Sequence, residues 1–130
     1  MRLAGQGIGM GGGLLSGVVA FDMADMQRIR ELTPAAKIIL VRSDTVPDDI
    51  PMLFVCDGLI TAKGGATSHA AMTAVGLGKA CIVKCRGLQV DEAAKRCVIN
   101  GHRFAAGDAV SIDSGLGNIY CGRYEIVKQG

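Results

Sequence analysis

Residues 61–79, TAKGGATSHAAMTAVGLGK, decide how the chain is interpreted, and they contain His69, one of its 2 histidines. Gly64 and Gly65 come shortly before the histidine, and a run of small residues after it ends in the glycine-rich GLG. This order predicts a strand end, then a glycine turn, then a short helix whose first turn contains the histidine.

The chemistry of such a helix start favours an anion. Thr67 and Ser68 are candidates for the N-cap, because a short side-chain hydroxyl accepts hydrogen bonds from the free N–H groups of the first turn. The remaining N–H groups and the helix dipole favour negative charge there. Gly64 and Gly65 carry no Cβ, so a bulky ligand could approach the backbone closely. A neutral imidazole at this place is a suitable nucleophile for a phosphoryl group, so His69 is the candidate catalytic residue. A solvated histidine without chemistry is the alternative.

Four segments carry a resemblance to a known family. GGATSHAAMTAVGLGKACIV (residues 64–83) resembles the GGxTSHAAxxARxxGxPxxV signature of the phosphoenolpyruvate-utilising enzymes, and within that family it is most similar to the dikinases. LVRSDTVPDD (40–49) is similar to the family's LVRxxTxPxD segment, and GDAVSIDSGLGNIYCG (107–122) to its GDxVxLDGxxGxVYxG ending. GGGLLSGVVAF (11–21) resembles the family's opening strand. The segments keep the family's order and cover most of the chain.

The resemblance implies a fold and a set of site residues. It implies a single α/β domain over residues 1–130, of the swivelling β/β/α phosphohistidine type. His69 matches the family's phosphoryl carrier, with a phosphate-binding surround at Gly64, Gly65, Thr67 and Ser68. Thr67 also matches a threonine that is a regulatory phosphorylation site in some family members. Val75 stands where the family often has an arginine, and Arg42 and Thr45 match residues near the carrier site, with a structural or phosphate-facing role.

The resemblance also implies partners. The carrier would shuttle a phosphoryl group between a nucleotide site and a pyruvate or phosphoenolpyruvate site, on other domains of a larger enzyme or on separate chains. We expect Mg²⁺ and nucleotide on those partner domains and no cofactor in this chain. With 130 residues the chain is too short for the (β/α)₈ barrel of ~250 residues that such a pyruvate site would occupy, so it is not a complete enzyme alone. The alternative is a non-catalytic regulatory domain of the same fold that binds an anion or a metabolite.

Composition narrows the class of protein further. A net charge of +2 and 4% aromatic residues argue against a nucleic-acid partner, and no apolar run is long enough to span a membrane. The 5 cysteines form no CxxC motif, so we interpret them as buried thiols of a cytoplasmic protein. We expect no metal site. Three aspartates could suggest one, but helix capping and a solvated turn explain them better: Asp44, Asp48 and Asp49.

The remaining pattern gives the order of the other elements. Gly7, Gly9 and Gly12 match GxGxxG, but we reject a dinucleotide site because no strand fits before Gly7 and LLSGVVAF after it is a strand. We therefore interpret residues 5–13 as a flexible segment or a glycine loop. Asp22 caps a helix that ends at Leu32. His102 is interpreted as an exposed loop histidine. Strands are predicted at 37–41, 54–56, 59–61, 80–84 and 96–100, with a hairpin formed by 110–113 and 118–124.

Overall fold

The structure is a computed structural model that describes residues 2–64 and 69–122, apart from the side chain of Ala70. In chain order its elements are β1 (Leu3–Gln6), β2 (Ile8–Met10), β3 (Leu14–Ala20), α1 (Met23–Leu32), β4 (Ile38–Arg42), a 3₁₀ turn (Pro47–Asp49), α2 (Ile50–Val55), β5 (Gly58–Thr61), α3 (His69–Gly76), β6 (Ala80–Val83), β7 (Leu88–Asp91), β8 (Arg96–Ile99), β9 (His102–Ala105), β10 (Ala109–Asp113) and β11 (Asn118–Cys121).

The elements form a β/β/α arrangement around a central sheet. This sheet has eight strands in the order β1-β11-β10-β3-β4-β5-β6-β2, and β7, β8 and β9 form a second, antiparallel sheet. Side chains alternate between the two faces of β4: Ile38 and Leu40 pack with the apolar residues of the helices, whereas Ile39 and Val41 pack with those of the second sheet. The predicted α/β class with β/β/α layering is therefore confirmed.

Strands β3 to β6 form the parallel half of the sheet, with consecutive strands adjacent. Of these strands, β4, β5 and β6 are buried at nearly every position, as expected for strands covered on both faces. Helix α1 begins as predicted, since the backbone N–H of Asp25 donates to Asp22 Oδ1 at 2.9 Å. The predicted hairpin is also confirmed, because β10 pairs antiparallel with β11; positions 123 and 124 of the predicted second strand lie outside the described residues.

An ion pair joins α1 to the second sheet. Lys95, in the turn between β7 and β8, contacts the carboxylates of Asp22 and Asp25. Burial raises the pKa of Asp22, but the hydrogen bonds from Lys95 and from the Asp25 N–H lower it by more, and its net pKa lies below the ordinary value. The N-cap of α1 therefore stays ionised at neutral pH, where it stabilises the helix start and holds Lys95.

The N-terminal segment differs from the prediction. Strand β1 pairs with β11 at one edge of the central sheet, and β2 pairs with β6 at the other edge. Gly7 lies between them, and its N–H donates to the Gly117 carbonyl at 2.9 Å. The expectation that no strand fits before Gly7 is wrong, and so is the interpretation of residues 5–13 as a flexible segment or a glycine loop. These short strands form because they pair with strands that are distant in sequence. The other ground for rejecting a dinucleotide site, a strand after the glycines, is confirmed by β3.

The structure differs from the local predictions at four further places. Phe54 and Val55 belong to α2, and Cys56 is its C-cap, where a strand was predicted. Gly58, where the sequence suggested a turn between two short strands, begins β5. A Cβ there would lie 2.8 Å from Leu15 Cδ2, so Leu15 would have to shift to admit a side chain. Strands β7 and β9 were not predicted, and His102 is the half-buried first residue of β9 where an exposed loop was expected. No helix in the described part of the chain is long and apolar enough to cross a membrane.

The close approach of β2 to the β10–β11 turn gives a test of the fold. A Cβ on Gly9 would lie 2.0 Å from the Ser114 carbonyl oxygen, whereas one on Gly76, at the end of α3, would meet nothing within 4 Å. We expect Gly9→Ala to lower the free energy of unfolding by about 2 kcal/mol through overpacking. The control Gly76→Ala should leave it unchanged or raise it by about 0.5 kcal/mol. Urea unfolding followed by circular dichroism measures both, and equal stabilities would contradict the closed arrangement of the N-terminal segment.

Candidate functional site

The candidate site lies where the parallel strands end. Strand β5 ends at Thr61, and the chain then leads to α3, whose first described residue is His69. Open α/β sheets usually bind their ligands at this carboxyl edge. His69 is exposed, and its carbonyl oxygen accepts a hydrogen bond of 2.8 Å from Thr73 Oγ1. The candidate nucleophile is thus accessible to a partner at the edge of the sheet.

Main-chain hydrogen bonds fix the beginning of the loop that leads to His69. The N–H groups of Ala62 and Lys63 donate to the Ser43 carbonyl at 3.1 and 3.0 Å, at the end of β4. On the other side, the N–H of Cys85 donates to the Thr61 carbonyl at 2.9 Å. The buried Thr61 hydroxyl donates to the Lys63 carbonyl. Both neighbouring strands therefore hold the loop up to Lys63.

Gly64 continues this loop with φ +87°, a left-handed conformation that favours glycine. This agrees with the predicted glycine turn, although the predicted contact with phosphate stays a prediction. Gly65, Thr67 and Ser68 lie outside the described residues, so the N-cap and the rest of the phosphate-binding surround also stay predictions.

Arg42 joins three segments at the same edge. Its Nη1 donates to the Phe21 carbonyl at 2.9 Å, and its Nη2 lies 3.4 Å from both Asp49 Oδ1 and Glu92 Oε2. Asp49 is 5% exposed, and its other carboxylate oxygen accepts from the Val46 N–H at 3.0 Å. Of the two roles considered for Arg42, these contacts favour the structural one. Arg42 also precedes Ser43, whose carbonyl holds the loop.

Asp44 and Asp49 stabilise the turn that follows β4. Asp49 caps it as described above, and Asp44 Oδ1 accepts from the backbone N–H of Thr45 at 2.9 Å. Thr45 itself is half-buried. Among residues 2–64 and 69–122, no group of three or more histidine, cysteine or acidic side chains has an arrangement suited to a metal ion.

Four of the five cysteines are poor alternatives to His69 as nucleophiles. Burial raises the pKa of Cys56 and of Cys85 to about 11, and that of Cys81 and of Cys97 to about 12. These four thiols are therefore protonated and unreactive at neutral pH. All five cysteines are free, and four are buried, which confirms the buried-thiol prediction for those four and not for the half-buried Cys121.

Two cations at the edge were not singled out from the sequence. Lys84 and Arg86 follow β6 and are both exposed. They flank Cys85, whose N–H bonds to Thr61, so they lie beside the start of the loop. Neither side chain has a hydrogen bond or an ion pair within the part of the chain that the structure describes. The sequence KCR (84–86) at the end of the predicted strand 80–84 was the signal for them.

Comparison with known proteins shows which family the chain resembles. Residues 34–117 match the family model "PEP-utilising enzyme, mobile domain". The chain is similar to the pyruvate, phosphate dikinases of Clostridium symbiosum (38% identity over 113 residues, 87% of this chain and 13% of the relative) and Giardia intestinalis (36% over 126 residues, 97% and 14%). The dikinase of Entamoeba histolytica is 38% identical over 117 residues, 90% of this chain and 13% of the relative. The chain thus spans about one seventh of the length of these relatives.

A solved structure also resembles the chain. The NMR solution structure of an Enzyme I protein (nEIt) overlaps with a TM-score of 0.44 and 23% sequence identity, over 64% of this chain and 29% of that one.

The contacts of Arg42 give the test of how this edge is held. Arg42→Gln leaves the buried Asp49 carboxylate without its cation, so we expect the free energy of unfolding to fall by about 2–4 kcal/mol. Glu92, the partner of Arg42 on the second sheet, is 40% exposed, and Glu92→Gln should cost less than about 1 kcal/mol. Urea unfolding at neutral pH measures both variants. A cost for Arg42→Gln as small as that for Glu92→Gln would show that the ion pair does not hold the edge.

Proposed function

Because the chain belongs to the mobile-domain family of the phosphoenolpyruvate-utilising enzymes, we propose that it is a phosphoryl-carrier domain and that His69 carries the group. The observation that supports this most directly is the exposed position of His69 at the start of α3, beside the carboxyl ends of the parallel strands. A carrier has to present its nucleophile to two sites in turn, which a buried histidine could not do.

The proposed step is a phosphoryl transfer to the imidazole. A ring nitrogen of neutral His69 attacks the phosphorus of phosphoenolpyruvate, the N–P bond forms, and the bond from phosphorus to the enol oxygen breaks. The other ring nitrogen releases its proton to solvent, and the departing enolate takes up a proton to become pyruvate. Gly64 contributes a backbone without Cβ beside the incoming group, and Gly65, Thr67 and Ser68 complete the proposed phosphate surround.

The donor and acceptor pockets belong, in this proposal, to other domains. The chain spans about one seventh of its dikinase relatives, so a nucleotide-binding and a pyruvate- or phosphoenolpyruvate-binding domain would lie in the rest of a larger enzyme or on separate chains. Nucleotide and Mg²⁺ would bind there. The buried free thiols fit the reducing cytoplasm in which we propose that the chain acts.

Labelling in trans tests the carrier. The purified chain is mixed with Mg²⁺, ³²P-labelled phosphoenolpyruvate and the Clostridium symbiosum dikinase whose own histidine aligned with His69 is replaced by alanine. We expect acid-labile, base-stable label on this chain, and none without the dikinase. His69→Ala should reduce the label to background, whereas His102→Ala, on β9, should label at the wild-type rate. Label that persists in His69→Ala would refute the assignment.

One observation favours the alternative of a non-catalytic binding domain. Val75 stands where the family often has an arginine, and it is 41% exposed on α3. Without that cation the domain would keep its fold and could bind an anion without accepting a phosphoryl group. Absence of label on the wild-type chain, together with binding of phosphoenolpyruvate by the isolated chain in equilibrium dialysis, would favour this reading.

Thr67 is the proposed regulatory residue of the same site. A phosphate on it would add about −1.5 to −2 charges two residues from His69, where the incoming phosphoryl group must approach. We expect Thr67→Asp to slow labelling of His69 by about tenfold or more through like-charge repulsion. Thr67→Ser keeps the hydroxyl and should label at nearly the wild-type rate. If Thr67→Asp labels as fast as Thr67→Ser, charge at this position does not control the site.

A further inference from the structure

Helix α3 presents an apolar face beside the candidate histidine. Ala71 and Ala74 are buried against the core, whereas Met72 is 62% exposed and Val75 is 41% exposed. The spacing from His69 to Met72 is three residues, so the two lie on neighbouring positions of one helix face. The helix sequence HAAMTAVG contains no charged residue. An exposed helix face normally carries charge, so this composition is typical of a covered surface.

The apolar surface extends from α3 onto β2. Ile8 is 42% exposed and lies in register with Val83 of β6. It lines an open cleft of about 480 Å³ together with Met72 and Val75 of α3. Gly9, Met10 and Gly76 complete the lining of this cleft. Ile8, Met72 and Val75 therefore form one continuous apolar surface next to His69.

A cationic rim borders this surface. Ile8 also lines a neighbouring cleft of about 350 Å³, which it shares with Lys84 and Arg86. Lys84 has φ +55°, a conformation that disfavours residues other than glycine. Lys95 and Asn100 share this conformation, but Lys95 pairs with two aspartates and Asn100 donates to the Ala4 carbonyl. Within the described residues, Lys84 has no such contact.

We propose that Ile8, Met72 and Val75, with the cationic rim of Lys84 and Arg86, form the docking surface for the domain that presents the phosphoryl donor to His69. This inference rests on the proposed function. The facing surface should have an apolar centre and an acidic rim, since it meets an apolar centre and two exposed cations. The donor domain is the occupant because His69 lies on the same face of α3, so a domain that brings phosphorus to its ring also covers Met72.

The chain length and the residue types agree with this occupant. The chain spans 13–14% of its dikinase relatives, so most of such a protein lies outside the described domain. The cations accelerate association with an acidic surface at low ionic strength and are screened at high salt.

Steady-state labelling tests the surface with matched variants. In the assay with ³²P-labelled phosphoenolpyruvate and the carrier-deficient Clostridium symbiosum dikinase, we expect Met72→Glu and the pair Lys84→Glu, Arg86→Glu each to raise the KM for this chain about tenfold, with kcat nearly unchanged. The charge-reversed pair should also lose most of the salt dependence of kcat/KM. Controls on α1 are Leu32→Glu, which replaces a side chain that is 76% exposed, and Arg28→Glu; both should keep the wild-type KM.

A binding measurement separates failure of this surface from failure of the carrier chemistry. All variants are repeated in a His69→Ala background, and the affinity for the same dikinase is measured by isothermal calorimetry. Weaker binding by Met72→Glu and by the charge-reversed pair, with the α1 controls unchanged, supports the surface even if the wild-type chain takes no label. Undetectable binding, or equal affinity across the variants, overturns it. Sedimentation that shows this surface holding two copies of the chain together would replace the donor domain with a second copy and also overturn it.

Discussion

The pairing of one N-terminal segment with both edges of the central sheet is the constraint on which the rest of the domain depends. Strand β1 adds to β11 and β2 adds to β6, so the segment joins the antiparallel and parallel halves. This requires backbones to approach closely: a Cβ on Gly117 would lie 2.2 Å from the Gly7 carbonyl oxygen. The outward N–H and carbonyl groups of β11 and β6 are thereby paired, and β1 and β2 become the outer strands of the sheet. Ile8 comes to lie beside α3 as a consequence.

The edge that holds the candidate site combines rigid attachment with exposure. Ser43 and Thr61 hold the loop through their carbonyl groups, and Arg42 ties the end of β4 to β3, to the 3₁₀ turn and to the second sheet. These groups are mainly backbone or buried, so the loop start does not depend on the side chains that face solvent. His69 can therefore be exposed without losing its attachment to the core, which is what the proposed transfer between two sites would demand.

Periodicity and the glycine turns predicted the parallel core but not the closure of the sheet. Runs such as IILV (38–41) and ACIV (80–83) are apolar throughout, and α1 has its N-cap at Asp22, so these elements follow from local sequence. Residues 3–10 have no local strand signal, because β1 and β2 are stabilised by partners more than seventy residues away. Phe54 was assigned to a strand as an apolar residue, but it is 61% exposed on α2, where Pro47 and Pro51 favour helical starts.

The candidate site was only partly accessible from the sequence for a related reason. His69 and Gly64 stand in one contiguous motif, so their neighbourhood could be predicted. Lys84 and Arg86 reach the same edge through the pairing of β6 with β5, and Ile8 reaches it through β2. A surface assembled from three separated segments leaves no spacing that a single motif could reveal. Such a surface does leave one signal in the sequence, an uncharged helix with an exposed methionine. The alanines Ala71 and Ala74 of α3 face the core and pack closely, whereas its larger apolar side chains, Met72 and Val75, face outward. An amphipathic helix that packed only against the core of its own domain would bury its larger apolar side chains.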